Sequence, residues 1–241
     1  MSEAKFALVT GATSGIGAEI AKNLANSYQV YGCGRNVDRL NTLTKSSKNI
    51  YPLQFDVTNK PEIEEASKAI FDLDLIVLNA GDCEYIDDTI NFDDKLFERI
   101  IKTNLISIGY CLNLWLPRLK PGGHIVFIGS SVTYFPFAKA EAYGASKAGI
   151  NYLANSMRQS LAPKGYTVTL VEPGFVKTPL TDKNTFDMPF LMTAKEASDA
   201  IVKGISKKKN RIRFPLMLIL TLKFLSLLPV KWQTLLTVKD V

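Results

Sequence analysis

The chain has 241 residues, 46% of them apolar, so it is long enough for one domain with a large core and short for two. Its three cysteines are widely spaced and odd in number, which predicts free thiols in a reducing compartment and not a disulfide framework. A single histidine cannot form a metal site, so no metal is expected, and the net charge of +6 comes entirely from the C-terminal end. The N-terminus enters a predicted strand without a signal-peptide pattern, so we expect a cytoplasmic protein.

The first predicted strand is the apolar run over residues 5–10, which is followed by a glycine-rich turn and a helical pattern. Gly11 permits the tight turn, Gly15 lets a pyrophosphate approach the backbone, and Gly17 lets the helix pack close to the strand. Free N–H groups at the helix N-terminus favour phosphate. The turn predicts a dinucleotide site, although a glycine-rich loop without a ligand is the alternative. Its residues are Gly11, Thr13, Ser14, Gly15, Ile16 and Gly17.

Strands and helices alternate along the rest of the chain. Further strands are predicted over residues 28–33, 50–55, 73–78, 123–128, 166–171 and 211–214. Helices are predicted over residues 38–45, 60–71, 93–119, 141–162 and 196–207. This alternation predicts one Rossmann-like, doubly wound parallel sheet with helices on both faces. We assign residues 1–214 to this domain and residues 215–241 to an apolar C-terminal helical extension. His124 stands just before a strand, where a loop or strand-edge role is expected.

Tyr143 and Lys147 stand four residues apart on a predicted helix, so the phenol and the ammonium lie on one face. A nearby ammonium lowers the pKa of a tyrosine, which suits a general acid or base. Taken alone, the pair also fits a solvated helix face. Ser130 lies thirteen residues upstream of Tyr143, and Asn104 lies in a long predicted helix, where asparagine is a mild misfit.

Together these motifs resemble the short-chain dehydrogenase/reductase family over roughly residues 5–180. The resemblance rests on TGATSGIG at 10–17, FDV at 55–57, LNAG at 78–81, Asn104, Ser130, Tyr143 with Lys147, and PGFVKT at 173–178. It implies hydride transfer between a nicotinamide and a carbonyl or alcohol. The alternative function is a non-catalytic dinucleotide-binding regulatory or scaffold protein that kept the fold.

The resemblance also implies a role for each catalytic residue. Tyr143 is the general acid for reduction and the base for oxidation, and Ser130 donates to the substrate carbonyl oxygen. Lys147 lowers the pKa of Tyr143 and binds the nicotinamide ribose, and Asn104 holds a water that links Lys147 to solvent. Ser131 is a rival to Ser130, but the thirteen-residue distance to Tyr143 favours Ser130.

The end of the second predicted strand indicates the cofactor. Gly34 stands where relatives that use NAD carry an acid, and Arg35 has a planar fork that suits a 2′-phosphate. We therefore predict NADP(H), with Arg35 as a plain surface residue the alternative. Thr13 and Ser14 stand where some relatives that use NADP carry a basic residue, which leaves NAD(H) as a secondary cofactor. The resemblance implies further contacts from Asp56, Val57, Asn79, Ala80, Gly81, Tyr143, Lys147, Pro173, Gly174, Val176 and Thr178.

Two apolar stretches bear on the substrate. Residues 179–193 are expected to form a lid, and Tyr134, Phe135 and Phe137 follow the catalytic serine. Both stretches predict an apolar ketone or alcohol as the small-molecule substrate. An equally plain interpretation is that these residues pack against each other or against a partner subunit. The resemblance implies a homodimer or homotetramer.

The C-terminal end departs from the family pattern. Residues 203–241 hold nine Lys or Arg and one Asp, a net +8, whereas residues 1–202 carry a net −2. Leu216–Leu228 is a thirteen-residue apolar run of about 20 Å as a helix, too short for a hydrocarbon core of about 30 Å. The tail could lie on a membrane with residues 203–231, cover the substrate pocket, or enter a subunit interface. No aromatic platform interleaves with its basic residues, so no nucleic acid is expected.

Overall fold

The computed structural model describes residues 4–184 and 186–237, and a parallel sheet forms its centre. The strands are β1 (Phe6–Val9), β2 (Gln29–Gly34), β3 (Ile50–Gln54), β4 (Leu73–Leu78), β5 (Leu119–Ile128), β6 (Thr167–Pro173), β7 (Val176–Lys177), β8 (Met192–Thr193) and β9 (Arg211–Phe214). Seven of them form one sheet in the order β3-β2-β1-β4-β5-β6-β9, with every neighbouring pair parallel. The strand order reverses between β1 and β4, which creates a crevice at their carboxyl ends.

Helices cover both faces of this sheet, which confirms the predicted fold class. They are α1 (Gly15–Leu24), α2 (Val37–Lys45), α3 (Lys60–Ser67), α4 (Asp94–Ile101), α5 (Ser107–Trp115), α6 (Glu141–Leu161), α7 (Ala194–Ser206), α8 (Leu216–Ser226) and α9 (Val230–Thr237). One apolar core joins the sheet to α1 and α7 through Ile20 and Ile201. A second core, on the other face, includes Ile63, Trp115 and Ile150. Because both faces are buried, the central strands are apolar on both sides.

The structure differs from the predicted helices at three positions. The helix predicted over residues 93–119 is divided into α4, a π-helical turn over Lys102–Ile106 and α5, and β5 already begins at Leu119. The helix predicted over residues 60–71 ends at Ser67, because the Arg118 guanidinium takes the main-chain carbonyl oxygens of Ser67 and Ile70. The tail contains two helices separated at Pro229. Residues 238–241 of the predicted extension lie outside the described residues.

A buried carboxylate attaches the last strand to the sheet. The Glu172 side chain on β6 has no exposed surface and accepts hydrogen bonds from Arg211 and Arg213 of β9. Asn151 of α6 donates to the same carboxylate at 3.2 Å and to Thr133 Oγ1 at 2.8 Å. Glu172 therefore connects β9, α6 and the segment that follows β5.

Candidate active site

The turn between β1 and α1 has the shape of a phosphate cradle. Gly11 and Gly15 have φ angles of +65° and +54°, a left-handed conformation that glycine adopts without strain. A Cβ atom at Gly17 would lie 2.2 Å from the Gly11 carbonyl oxygen, so no larger residue fits there. In the part of the chain that the structure describes, no side chain caps α1, which leaves its first N–H groups for a phosphate. The turn also contains the other predicted residues, Thr13, Ser14 and Ile16.

The ends of β1 and β4 are joined beside this turn. The Thr10 hydroxyl accepts from the main-chain N–H groups of Asn79 and Ala80 at 2.9 and 3.0 Å, and the Asn79 amide donates to the Thr10 carbonyl at 3.0 Å. Gly81 leads toward the catalytic side chains, because a Cβ atom there would lie 3.1 Å from Asn104 Oδ1. The predicted ribose-side residues therefore line the crevice where open α/β sheets bind ligands.

The end of β2 has no room for an acidic side chain. A Cβ atom at Gly34 would lie 2.4 Å from Thr13 Cγ2, well inside van der Waals contact. Arg35 follows, with 73% of its side chain exposed at the rim of the crevice. This geometry fits a cofactor that carries a 2′-phosphate, which a cation binds and a carboxylate repels.

Asp56 lies within reach of that arginine. Its carboxylate is 3.3 Å from the Arg35 guanidinium and accepts two hydrogen bonds from Thr58 at 2.8 Å. Burial alone would raise the pKa of Asp56, but the hydrogen bonds from Thr58 and the charge of Arg35 outweigh burial and lower it. Val57 packs partly buried against the core on the α3 and α5 side.

Ser130, Tyr143 and Lys147 converge at the carboxyl end of β5. Ser130 follows the strand and hydrogen-bonds to the Tyr143 phenol, and its neighbour Ser131 begins a 3-10 turn. Both serines are buried. The Lys147 ammonium lies 5.7 Å from the Tyr143 ring centroid and donates to the Ile128 carbonyl oxygen at 3.0 Å. The Lys147 side chain is almost fully buried, and this burial lowers its pKa to about 8.

The pKa of Tyr143 differs from the sequence prediction. Burial of the phenol raises it, the neighbouring Cys83 thiol raises it further, and only the hydrogen bond with Ser130 lowers it. The described residues therefore favour a protonated Tyr143 at neutral pH.

Asn104 lies in the π-helical turn Lys102–Ile106 and is completely buried. Its Oδ1 accepts from the Asp82 N–H at 2.7 Å, and its Nδ2 donates to the Asp82 carbonyl and the Ser146 hydroxyl, each at 2.9 Å. Ser146 in turn donates to the Tyr143 carbonyl at 2.7 Å. These side-chain hydrogen bonds attach the loop after β4 to α6. The water-holding role of Asn104 stays a prediction. A π-helical turn of this kind often marks a functional site.

Within the stretch from Pro173 to Thr178, Thr178 faces the crevice and Gly174 contacts the tail. Thr178 faces the cradle, since a Cβ atom at Gly15 would lie 2.9 Å from its Cγ2. Val176 is buried in the core on the α1 and α7 side. Gly174 packs against the tail, because a Cβ atom there would lie 2.5 Å from the Leu218 side chain of α8.

Tyr85, which the sequence analysis missed, interacts with Tyr143 and is close to Phe186 of the predicted lid. The Phe186 ring lies edge-on to Tyr85 at 5.8 Å between centroids and to Phe175 at 6.0 Å. Tyr85 hydrogen-bonds to Cys83 and Asn184, and its burial raises its pKa. A usable signal was available, because residues 83–85 directly follow LNAG at the carboxyl end of β4. Residue 185 of the predicted lid lies outside the described residues.

Two of the aromatic residues after the catalytic serine pack against the tail. Phe135 is 3% exposed and lies in an apolar cluster with Leu218 and Leu222 of α8, and Tyr134 packs against the same cluster. Phe137 remains partly exposed, with its ring edge-on to Phe135 at 5.4 Å. Tyr134 and Phe135 therefore pack against the tail, and both also line the cavity beside it. A contact with substrate stays a prediction.

Known proteins share both the sequence pattern and this geometry. The family model described as short chain dehydrogenase matches residues 5–188. An uncharacterized oxidoreductase of Myxococcus xanthus is 34% identical over 239 residues, covering 93% of each chain. A 3-oxoacyl-(acyl-carrier-protein) reductase of Buchnera aphidicola is 34% identical over 229 residues, covering 87% of this chain and 93% of its own.

Solved structures of other proteins also superpose on this chain. A serine dehydrogenase in complex with NADP+ superposes with a TM-score of 0.79 at 27% identity, covering 88% of this chain and 95% of its own. A short-chain dehydrogenase from Sphingobium yanoikuyae in complex with NADPH has a TM-score of 0.79 at 25% identity and covers 98% of this chain and 94% of its own. This chain belongs to the short-chain dehydrogenase/reductase family, whose members are oxidoreductases acting on alcohol and carbonyl groups.

Proposed function

We propose that the protein is an NADP(H)-dependent oxidoreductase that transfers a hydride between nicotinamide and the carbonyl or secondary alcohol of an apolar substrate. The convergence of Ser130, Tyr143 and Lys147 beside the phosphate cradle carries this proposal. A protein that only binds a dinucleotide needs the cradle but not the three catalytic side chains. Their presence together argues against a non-catalytic regulatory or scaffold role.

The described residues suit the cofactor. The glycine turn would hold the pyrophosphate, Arg35 the 2′-phosphate, Asp56 and Val57 the adenine, and Thr178 the nicotinamide side. Residues 79–81 and the Lys147 ammonium would contact the ribose. The bound nicotinamide supplies or accepts the hydride. NAD(H) remains a weaker substitute, because the pyrophosphate cradle does not distinguish the two dinucleotides.

In reduction, the Tyr143 phenol gives its proton to the substrate oxygen as the carbonyl carbon accepts a hydride, so ketone becomes alcohol. Ser130 donates a hydrogen bond to that oxygen and stabilises the charge that develops on it. Lys147 then stabilises the phenolate until a proton from solvent restores the phenol.

An apolar substrate is supported by the walls of the site. Tyr85 interacts with Tyr143, and its ring forms an aromatic cluster with Phe186 and Phe175. Binding sites for small molecules are mostly apolar, with a few polar groups that orient the reacting atoms. Ser130 and Tyr143 are such groups, so the rest of the substrate contacts aromatic rings.

The catalytic assignment is tested by Tyr143→Phe. We expect turnover of a panel of apolar ketones to fall by about 10³-fold, because the proton donor is lost, while NADPH binding followed by nicotinamide fluorescence is kept. Tyr152→Phe is the matched control, since Tyr152 lies on the same helix with 79% of its surface exposed. A Tyr143→Phe enzyme with wild-type turnover would contradict the proposal.

The cofactor assignment is tested by Arg35→Ala. We expect NADPH affinity to fall about tenfold, which corresponds to one charge-assisted contact, with NADH affinity unchanged. Arg39→Ala, which removes an exposed arginine of α2, should leave both affinities unchanged. Equal losses for the two nucleotides in Arg35→Ala would show that Arg35 does not contact the 2′-phosphate.

We also propose a division of the chain, an assembly state and a location. We assign catalysis to residues 1–214 and treat residues 215–241 as an extension whose α8 packs on the domain. A homo-oligomer is supported by Ile106 and Tyr152, which are exposed large apolar side chains next to the site helices. The free thiols of Cys33 and Cys111, both buried, suit a cytoplasmic location.

A further inference from the structure

The outward surface of α8 is apolar. At 3.6 residues per turn, its exposed apolar side chains fall within an arc of about 100°. They are Leu216, Met217, Leu220, Phe224 and, just past the helix, Leu227, each at least 61% exposed. The opposite arc holds Leu218, Ile219 and Leu222, all buried against the domain. An exposed apolar arc of this size marks a surface that binds another molecule.

The surface continues onto α9. Trp232, Leu235 and Leu236 share one side of this helix and are 62%, 61% and 47% exposed. The other side, which includes Val230 and Gln233, borders a cavity of about 590 Å³ against the loop after β5 and the start of α6. We define the tail surface as the exposed apolar side chains on these two outward sides, which are Leu216, Met217, Leu220, Phe224, Leu227, Trp232, Leu235 and Leu236.

The charges beside the tail surface are positive. Residues 203–237 contain eight Lys or Arg and no acidic residue. Lys223 and Lys231 lie within α8 and α9, and the Lys223 ammonium is held 5.0 Å from the Tyr134 ring centroid at the edge of the surface. Residues 207–209 precede β9 while α8 follows it, so this basic run is separated from the tail surface by a strand of about 13 Å.

We propose that the tail surface docks on anionic lipid, so that the enzyme lies on a membrane. Leucine, phenylalanine and tryptophan side chains with flanking lysines form the composition that inserts into the headgroup region. A second copy of the chain fits less well, because a twofold contact would bring two positive surfaces together without an acidic partner. Among the described residues, no helix is long and apolar enough to span a membrane, so the contact is peripheral.

The docked orientation would bring the active site close to the lipid. Leu218 of α8 lies against Gly174, which belongs to the predicted nicotinamide stretch. Phe135, five residues after Ser130, packs in the same cluster as Leu218 and Leu222. This part of the inference rests on the proposed function, since it makes the bilayer a source of apolar substrate. Lipid binding itself is measured without any substrate.

The test uses vesicles of phosphatidylcholine, with and without phosphatidylglycerol, and the full chain. We expect co-sedimentation with the anionic vesicles and a blue shift of tryptophan emission. The chain has two tryptophans, and Trp115 is fully buried in the core, so the shift reports on Trp232. Trp232→Phe should remove the shift but keep most of the sedimentation.

The decisive variant is Leu220→Glu with Phe224→Glu, which should weaken binding to anionic vesicles by more than about tenfold. Its matched control is Ile90→Glu, a 94% exposed apolar position outside the tail. NADPH binding verifies that each variant is folded. Unchanged vesicle binding by the double variant, equal binding to neutral vesicles, or no vesicle binding at all would overturn the proposal. The proposal would also be overturned if light scattering showed a smaller oligomer for the double variant while its vesicle binding stayed unchanged.

Discussion

Helices α6 and α8 both pack on the segment that follows β5, and they break the usual inside–outside rule in opposite directions. α6 buries a lysine, Lys147, next to the catalytic tyrosine. α8 instead exposes Leu220 and Phe224 to the outside while it buries Leu222. A buried charge and an exposed apolar stripe both cost stability in an isolated chain. We propose that each exception marks a place that binds another molecule, a dinucleotide at Lys147 of α6 and lipid at the outward side of α8.

The largest effect is expected from Lys147→Met, which replaces the buried lysine of α6 with an apolar side chain. Turnover should fall by about 10² to 10³-fold, because nothing remains to stabilise the Tyr143 phenolate. The free energy of unfolding at pH 7 should rise by about 1 kcal/mol, since a buried ammonium is replaced by an apolar side chain. Urea unfolding and steady-state kinetics measure the two changes. A variant that loses stability as well as activity would mean that Lys147 is structural.

The same lysine predicts the pH dependence of stability. Its folded pKa of about 8 lies below the ordinary value of 10.5, so the folded state loses its proton first as the pH rises. The cost of burying the charge is therefore complete below about pH 8 and disappears as the pH approaches 10.5. Relative to Lys147→Met, the wild type should gain stability between pH 8 and 10. Parallel curves for the two proteins would contradict the buried charge.

Glu172→Ala tests the buried carboxylate that connects β9, α6 and the segment after β5, on which α6 and α8 both pack. We expect a loss of about 3 kcal/mol in the free energy of unfolding, because Arg211 and Arg213 lose their common carboxylate. Turnover should fall less than tenfold, because Glu172 reaches Ser130 only indirectly. Asn151 donates to Thr133, and the Thr133 hydroxyl donates to the Ser130 carbonyl. Glu172→Gln, which keeps the shape, serves as the control and should lose less stability in urea unfolding. Equal losses in the two variants would show that the carboxylate charge adds nothing.

The smallest effects compare the two sides of α8. Leu222→Ala removes a side chain that is 5% exposed and should cost about 2 kcal/mol, whereas Leu220→Ala, at 61% exposure, should change stability by less than about 0.5 kcal/mol. Thermal unfolding without lipid measures both. If Leu220→Ala were as costly as Leu222→Ala, the outward side of α8 would already be covered within the protein.

Local spacing made the fold and the catalytic trio predictable. The glycine turn and the Tyr143–Lys147 pair are short-range patterns, and strand–helix alternation is enough to predict a parallel sheet. Contacts between distant segments were not predictable. Asn104 bonds to Asp82 and Ser146 only because the loop after β4 meets α6, and Phe135 turns toward a tail eighty residues later. The raised pKa of Tyr143 has the same origin, since burial depends on every neighbour.

The crowding of Gly34 by Thr13 restricts how this chain could be re-engineered toward NAD. An acid introduced at position 34 alone would start with its Cβ 2.4 Å from a threonine methyl group. Thr13 would have to shift before such an acid could reach a ribose. The direct route therefore replaces Thr13 with a smaller residue first and adds the acid second. The proposed preference for NADP(H) would thus depend on a side chain of the glycine turn as well as on Arg35.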